Sequence, residues 1–118
     1  MKKILIVDDE EDVREVIFDF LQGRGFDVLT AKDGQEALSI LKNNKFDIIV
    51  TDMKMPLMRG DRFIQEAKMI PELKAKIILM TGGGEWEIEN QAIALADFHL
   101  HKPFEFKAFL DLIDKAST

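Results

Sequence analysis

Five short apolar runs, each followed by a longer amphipathic stretch, constrain what this chain can fold into more than any other feature. The runs are Lys3–Val7, Asp27–Thr30, Ile48–Thr51, Lys76–Met80 and Phe98–Leu100. Rich in β-branched residues and bounded by acidic or turn residues, they read as strands buried on both faces. Between them, Val13, Val16, Ile17, Phe20 and Leu21 recur at helical spacing, and that helix should end near Gly23 and Gly25. Asp33 and Glu36 form a capping-box pattern ahead of Ala37, Leu38, Ile40 and Leu41. Phe63, Ile64 and Ala67 mark a third helix that should stop before Pro71. Ile88, Ala92, Ile93 and Leu95 suggest a fourth, and Phe106, Phe109, Leu110, Leu112 and Ile113 a fifth. Strand then helix, five times over, predicts an α/β fold: a doubly wound, five-stranded parallel sheet flanked by five helices, with right-handed crossovers.

The 118 residues suit one compact domain, 1–118, with no linker or repeat to divide it. Methionines and phenylalanines fall mostly on strands or apolar helical faces and read as core. The absence of cysteine excludes disulfides, zinc-thiolate sites and thiol catalysis. A net charge of −6 with no local cluster of Lys or Arg argues against direct nucleic-acid binding. Every apolar run is far short of the roughly 20 residues that span a bilayer. Asp8-Asp9-Glu10-Glu11 interrupts the first run too early for a signal peptide. The chain reads as cytoplasmic, without membrane contact.

In open α/β sheets, ligands bind beyond the carboxyl ends of the strands. Strand one runs into Asp8-Asp9-Glu10, strand three into Thr51-Asp52, strand four into Thr81, and strand five into Lys102-Pro103. If those strands are central neighbours, three carboxylates, a hydroxyl and an ammonium share one rim. Two carboxylates 4 Å apart repel by roughly 4 kcal/mol at an effective dielectric of about 20. Lys102 alone is too little compensation, so a hard divalent cation with oxygen ligands, Mg²⁺ above all, is the natural complement. Each residue has a plainer reading too: Asp9, Glu11 and Asp12 as charges at a helix N-terminus, Asp52 as a turn residue, Thr81 as a β-branched strand end.

Four motifs in order are similar to those of response regulator receiver domains. They are Ile6-Val7-Asp8-Asp9-Glu10, Asp52 through Pro56 to Gly60, Met80-Thr81, and Lys102-Pro103-Phe104. The resemblance covers essentially the whole chain and implies a flavodoxin-like receiver of the chemotaxis-regulator type. It further implies that Asp52 accepts a phosphoryl group from a histidine kinase or phosphotransfer protein. Asp8, Asp9, Asp52 and the Lys54 backbone carbonyl would hold Mg²⁺. Lys102 would contact the phosphoryl group, Thr81 would be the switch hydroxyl, and the bond into Pro103 would be cis. The chain would then be a signalling phosphoacceptor rather than an enzyme acting on other molecules. The strand 4 to helix 5 face would serve a downstream protein, an effector domain beyond this chain, or a phosphorylation-dependent dimer.

The departures from that pattern cluster in one region. His99 stands where receivers carry Tyr or Phe, and His101 directly precedes the lysine. Two residues apart on a strand, they should share a face. They read either as surface histidines on an edge strand or, at His99, as a replacement for the aromatic switch. Gly82-Gly83-Gly84 follows Thr81 without the lysine of a phosphate-binding loop and reads as a loop of unusual freedom. Leu95 stands where a helix-ending Gly is common. Two other functions fit less well. A Mg²⁺-dependent phosphohydrolase of the haloacid-dehalogenase type wants an acid where Lys54 stands. A receiver-fold interaction module that works without phosphorylation would not need Asp8, Asp9, Asp52, Thr81 and Lys102 together.

Overall fold

The computed structural model describes residues 2–82 and 86–118, with 86–89 as helical backbone. Gly83 and Gly84 of the glycine run lie outside the described residues. Five strands, β1 (Lys3–Val7), β2 (Asp27–Ala31), β3 (Ile48–Asp52), β4 (Lys76–Thr81) and β5 (Phe98–His101), alternate with five helices. The helices are α1 (Glu11–Gln22), α2 (Gly34–Asn43), α3 (Gly60–Lys68), α4 (Trp86–Leu95) and α5 (Phe106–Ala116). The sheet is wholly parallel in the order β2-β1-β3-β4-β5, so the chain winds one way from β1 to β2 and the other way from β3 onward. This is the doubly wound sheet that the alternation predicts.

The two-residue period of the strands divides the core into two layers. Leu5, Val7, Ile49, Ile77 and Leu79 face one side, against Leu41 of α2, Phe63 and Ile64 of α3, and Ala92 of α4. Ile4, Ile6, Val50, Ile78 and Met80 face the other, against Ile17 and Leu21 of α1 and Phe109 and Ile113 of α5. β3 is buried at every position because it has a strand on each edge and helices on both faces. β5, at the edge, alternates: Phe98 and Leu100 are half-buried while His99 and His101 are exposed.

Local signals set the helix ends. Asp33 caps α2 by accepting from the Glu36 N–H at 2.8 Å. Glu36 returns a carboxylate to the Lys32 N–H at 3.1 Å, one residue short of the usual reciprocal partner. α1 closes at Gly23, and Gly25 takes the left-handed conformation, φ 92°. α3 stops before Pro71 as expected. α4 ends at Leu95 without a glycine, the Ala96 N–H turning back to the Ala92 and Ile93 carbonyls.

Leu57, in the loop between β3 and α3, has φ 69° although it carries a β-carbon, and 75% of it is exposed. A left-handed leucine costs about 1–2 kcal/mol, whereas asparagine tolerates this region. Leu57→Asn should therefore raise stability by up to about 1 kcal/mol, seen as a higher urea midpoint with an unchanged slope. A lower midpoint would mean that the exposed leucine makes contacts worth more than its strain.

Candidate functional site

The pairing of β1 with β3 sets the site. Val7 stands opposite Thr51, so the residues that follow, Asp8 and Asp52, emerge side by side where the strand order reverses. Four strands run one residue further than their apolar runs predict: β2 takes in Ala31, and β3, β4 and β5 end on the polar Asp52, Thr81 and His101. The reason is that backbone pairing is indifferent to side-chain polarity. The Met53 N–H still reaches the Met80 carbonyl at 3.1 Å, and the Lys102 N–H reaches the Thr81 carbonyl at 2.6 Å. All four strand ends therefore deliver their polar residues to one rim.

Asp8 is fully buried and Asp52 is 6% exposed. Lys102 reaches back from beyond β5 and puts its Nζ 3.5 Å from Asp8 Oδ2 and 3.3 Å from Asp52 Oδ2. Burial pushes the Asp52 carboxyl above the ordinary aspartate range; the Lys102 charge opposes this and the Asp8 charge adds to it. For Lys102, burial favours the neutral amine, but the combined charges of Asp52 and Asp8 outweigh it and hold the ammonium above the usual lysine range. One oxygen of each carboxylate is committed to backbone. Asp52 Oδ1 accepts from the Met53 N–H at 2.8 Å, and Asp8 Oδ1 accepts from the Glu10 N–H at 2.9 Å. Arg14 donates to the Asp8 carbonyl at 2.7 Å and steadies that turn.

Asp8 Oδ2 is buried with no hydrogen-bond partner among the described residues, and Lys102 is only within ion-pair range. A buried carboxylate oxygen in that state is costly unless a cation completes it. Oxygens of Asp8, Asp9 and Glu10 lie within 4.8 Å of one another beside it. Such an all-oxygen set suits a hard divalent cation and does not suit zinc or copper. The motif resemblance implies Asp8 and Asp9 as ligands, whereas Glu10 reads from the sequence only as part of the acidic run. Lys54, two residues after Asp52, is exposed.

Thr81 is almost fully buried, and its hydroxyl meets a histidine, although not the one the sequence points to. Thr81 Oγ1 lies 3.2 Å from Nδ1 of His101, its neighbour across the β4–β5 ladder. His99 stands opposite Leu79, exposed, and its side chain makes no hydrogen bond among the described residues. The signal for His101 is its place beside Lys102, but only the register reveals its partner. The Lys102–Pro103 peptide is cis.

The sequence model for the response regulator receiver domain matches residues 4–114. The chain belongs to that family. Sporulation initiation phosphotransferase F of Bacillus subtilis is 31% identical to it, over 97% of this chain and 92% of that protein. The Bacillus subtilis alkaline phosphatase synthesis transcriptional regulatory protein PhoP is 36% identical over 87% of this chain, which spans only 43% of the relative's length. Among solved structures, the chemotaxis response regulator CheY4 of Vibrio cholerae superposes with a TM-score of 0.89 at 33% identity, covering 98% of each chain. The response regulator TrrA of Thermotoga maritima, solved in complex with Mg²⁺ and BeF, gives 0.86 at 32% identity, covering 98% of this chain and 99% of that one.

Two features of this receiver domain around Asp52 can be tested. Gly60 opens α3 directly against β3, and its N–H donates to the Met53 carbonyl at 2.8 Å. A β-carbon there would collide with the Asp52 carbonyl oxygen and sit 2.9 Å from Met53 Cα. Both are backbone atoms that cannot step aside, so Gly60→Ala should cost about 1–3 kcal/mol, measured by urea unfolding.

The second test concerns charge. The carboxyl of Asp52 binds its proton more tightly folded than unfolded, so ionisation opposes folding. The favourable contribution is complete below the unfolded value, about pH 4, and is lost as pH rises through the folded value. Asp52→Asn should thus raise the thermal midpoint at pH 7 in EDTA, with the difference shrinking as pH falls through the carboxylate range. A midpoint at pH 7 equal to or below wild type would contradict this account.

Proposed function

We propose that this receiver domain is a Mg²⁺-dependent signalling switch in which Asp52 accepts a phosphoryl group from a histidine kinase or histidine phosphotransfer protein. The observation that carries the reading is the Lys102 ammonium set between two buried carboxylates, 3.3 Å from Asp52 and 3.5 Å from Asp8, at the C-terminal rim of β1 and β3. Asp52 lies at the rim, with one oxygen held by the Met53 N–H.

In the transfer, the Asp52 carboxylate attacks phosphorus in line, an O–P bond forms, and the P–N bond of the donor phosphohistidine breaks. The imidazole leaves with the electron pair and takes up a proton. Lys102 neutralises charge on the equatorial oxygens, which is where such transition states gain most from a fixed positive group. Asp8, Asp9, Asp52 and the Lys54 carbonyl are the groups that would hold Mg²⁺, which when bound supplies further charge neutralisation and orients the phosphoryl oxygens. The unpartnered Asp8 oxygen and the adjoining acidic oxygens support that ligand set. Once formed, the acyl phosphate adds charge and acceptor oxygens beside Thr81, whose hydroxyl is the nearby donor that could answer them. A downstream protein, an effector domain or a second copy would read the change through the strand 4 to helix 5 face.

The TrrA structure, holding Mg²⁺ and BeF, supports the same chemistry on a similar fold. Incubation with acetyl phosphate or a phosphorylated histidine donor should label the wild type only when Mg²⁺ is present. The label should be acid-stable and hydroxylamine-labile. Asp52→Asn should show none, and undiminished labelling of that variant would overturn the assignment.

A further inference from the structure

The Thr81 hydroxyl and the Asp52 carboxylate are separated by the way the sheet is ordered. β4 stands between β3, which carries Asp52, and β5, which carries His101. Neighbouring strands lie about 4.8 Å apart, so a hydroxyl engaged with a β5 side chain is turned toward the sheet edge and away from β3. Thr81 Oγ1 is so engaged, 3.2 Å from His101 Nδ1. The backbone around it is pinned on both sides. The Thr81 carbonyl accepts from the Lys102 N–H at 2.6 Å, and the Met80 carbonyl accepts from the Met53 N–H at 3.1 Å. The motion left to Thr81 with the ladder intact is rotation of its side chain between staggered wells. That rotation breaks the contact with His101 whichever of the two groups is the donor.

We propose that His101 is a positioning residue that latches the Thr81 hydroxyl toward the sheet edge in the unphosphorylated protein, so that the hydroxyl turns toward Asp52 only when this bond is given up. The proposal rests on Asp52 as the phosphoacceptor for its functional consequence, but the latch itself is a property of the free protein. Thr81 is 2% exposed, so its hydroxyl has little water to fall back on. Among the described residues, His101 is the side chain that satisfies it. Removing the imidazole therefore penalises the resting rotamer twice: the bond is lost, and a buried hydroxyl is left without a partner. Both effects favour the rotamer that can meet a phosphoryl group. His101 is exposed on an edge strand, so a β-branched replacement fits the backbone without disturbing the core.

The test compares wild type, His101→Val, which removes the partner, and His101→Asn, whose side-chain amide can place a polar atom where Nδ1 stands. The first measurement is the Thr81 χ1 rotamer in the free protein, read from three-bond couplings of its γ-methyl group. Wild type and His101→Asn should hold one rotamer, and His101→Val should average or change it. The second is the apparent Kd for beryllofluoride at saturating Mg²⁺, followed by backbone amide shifts, with Asp52→Asn as control. His101→Val should bind about threefold to tenfold more tightly than wild type, the range to which a net hydrogen bond converts. His101→Asn should stay within about twofold of wild type, by the same conversion. An unchanged Thr81 rotamer in His101→Val overturns the latch, as does His101→Asn behaving like His101→Val. Failure of wild type to bind beryllofluoride in an Asp52-dependent way overturns the phosphoacceptor reading instead, and the rotamer comparison still decides the latch.

Discussion

Two buried carboxylates held beside one ammonium are the constraint around which the rest of this domain is arranged. Asp8 and Asp52 are brought together by the register that sets Val7 against Thr51, and the register is enforced by two apolar layers that no slipped pairing would fill. Lys102 offsets part of the repulsion, and burial leaves the Asp52 carboxyl harder to ionise than an ordinary aspartate. The site thus carries unfavourable electrostatics that the hydrophobic sandwich beneath it must outweigh. Functional sites commonly show this pattern, because a group poised to react is seldom one that is comfortable at rest.

The same tension would favour a cation at the site in the proposed mechanism. Asp8 Oδ2 is buried with no hydrogen-bond partner among the described residues, so its desolvation is part of the folded state rather than a cost met on binding. Beyond the acidic rim, Gly60 and Leu57 show how tightly the β3–α3 connection is drawn. One position has no room for a β-carbon, and the other holds a side chain in a conformation that leucine resists. One strand beyond Asp52, the Thr81 hydroxyl meets His101 across the β4–β5 ladder.

Much of this was legible in the residues. The strands announced themselves as β-branched runs too short for helices, and the capping pair Asp33 and Glu36 marked the start of α2 where it is found. Asp8, Asp52, Thr81 and Lys102 stood out because polar residues ended four apolar runs, and one rim does gather them. The apolar runs end one residue early at β2, β3, β4 and β5, and at the last three a polar side chain reads as a boundary that backbone pairing ignores. Glu10 passed as part of an acidic run, its proximity to Asp8 and Asp9 being set by the turn into α1. Leu57 gave no sign of its φ, because leucine is not a residue that advertises a left-handed turn.

His99 stands at the position of the family's aromatic residue, yet His101 is the histidine that meets Thr81. Both histidines share a face of β5, as their spacing required, and nothing in the order of residues says which one meets Thr81. Periodicity determines which face a side chain takes, and apolar alternation determines that the chain winds into a parallel sheet with its polar strand ends on one rim. Those properties are local, so the sequence by itself determined them. The neighbour across the ladder is a different matter. Thr81 and His101 are twenty residues apart along the chain, and the β4–β5 register alone puts them in contact. That register comes from how the two apolar layers pack against the helices, which is a property of the whole fold, and only the tertiary structure decided it.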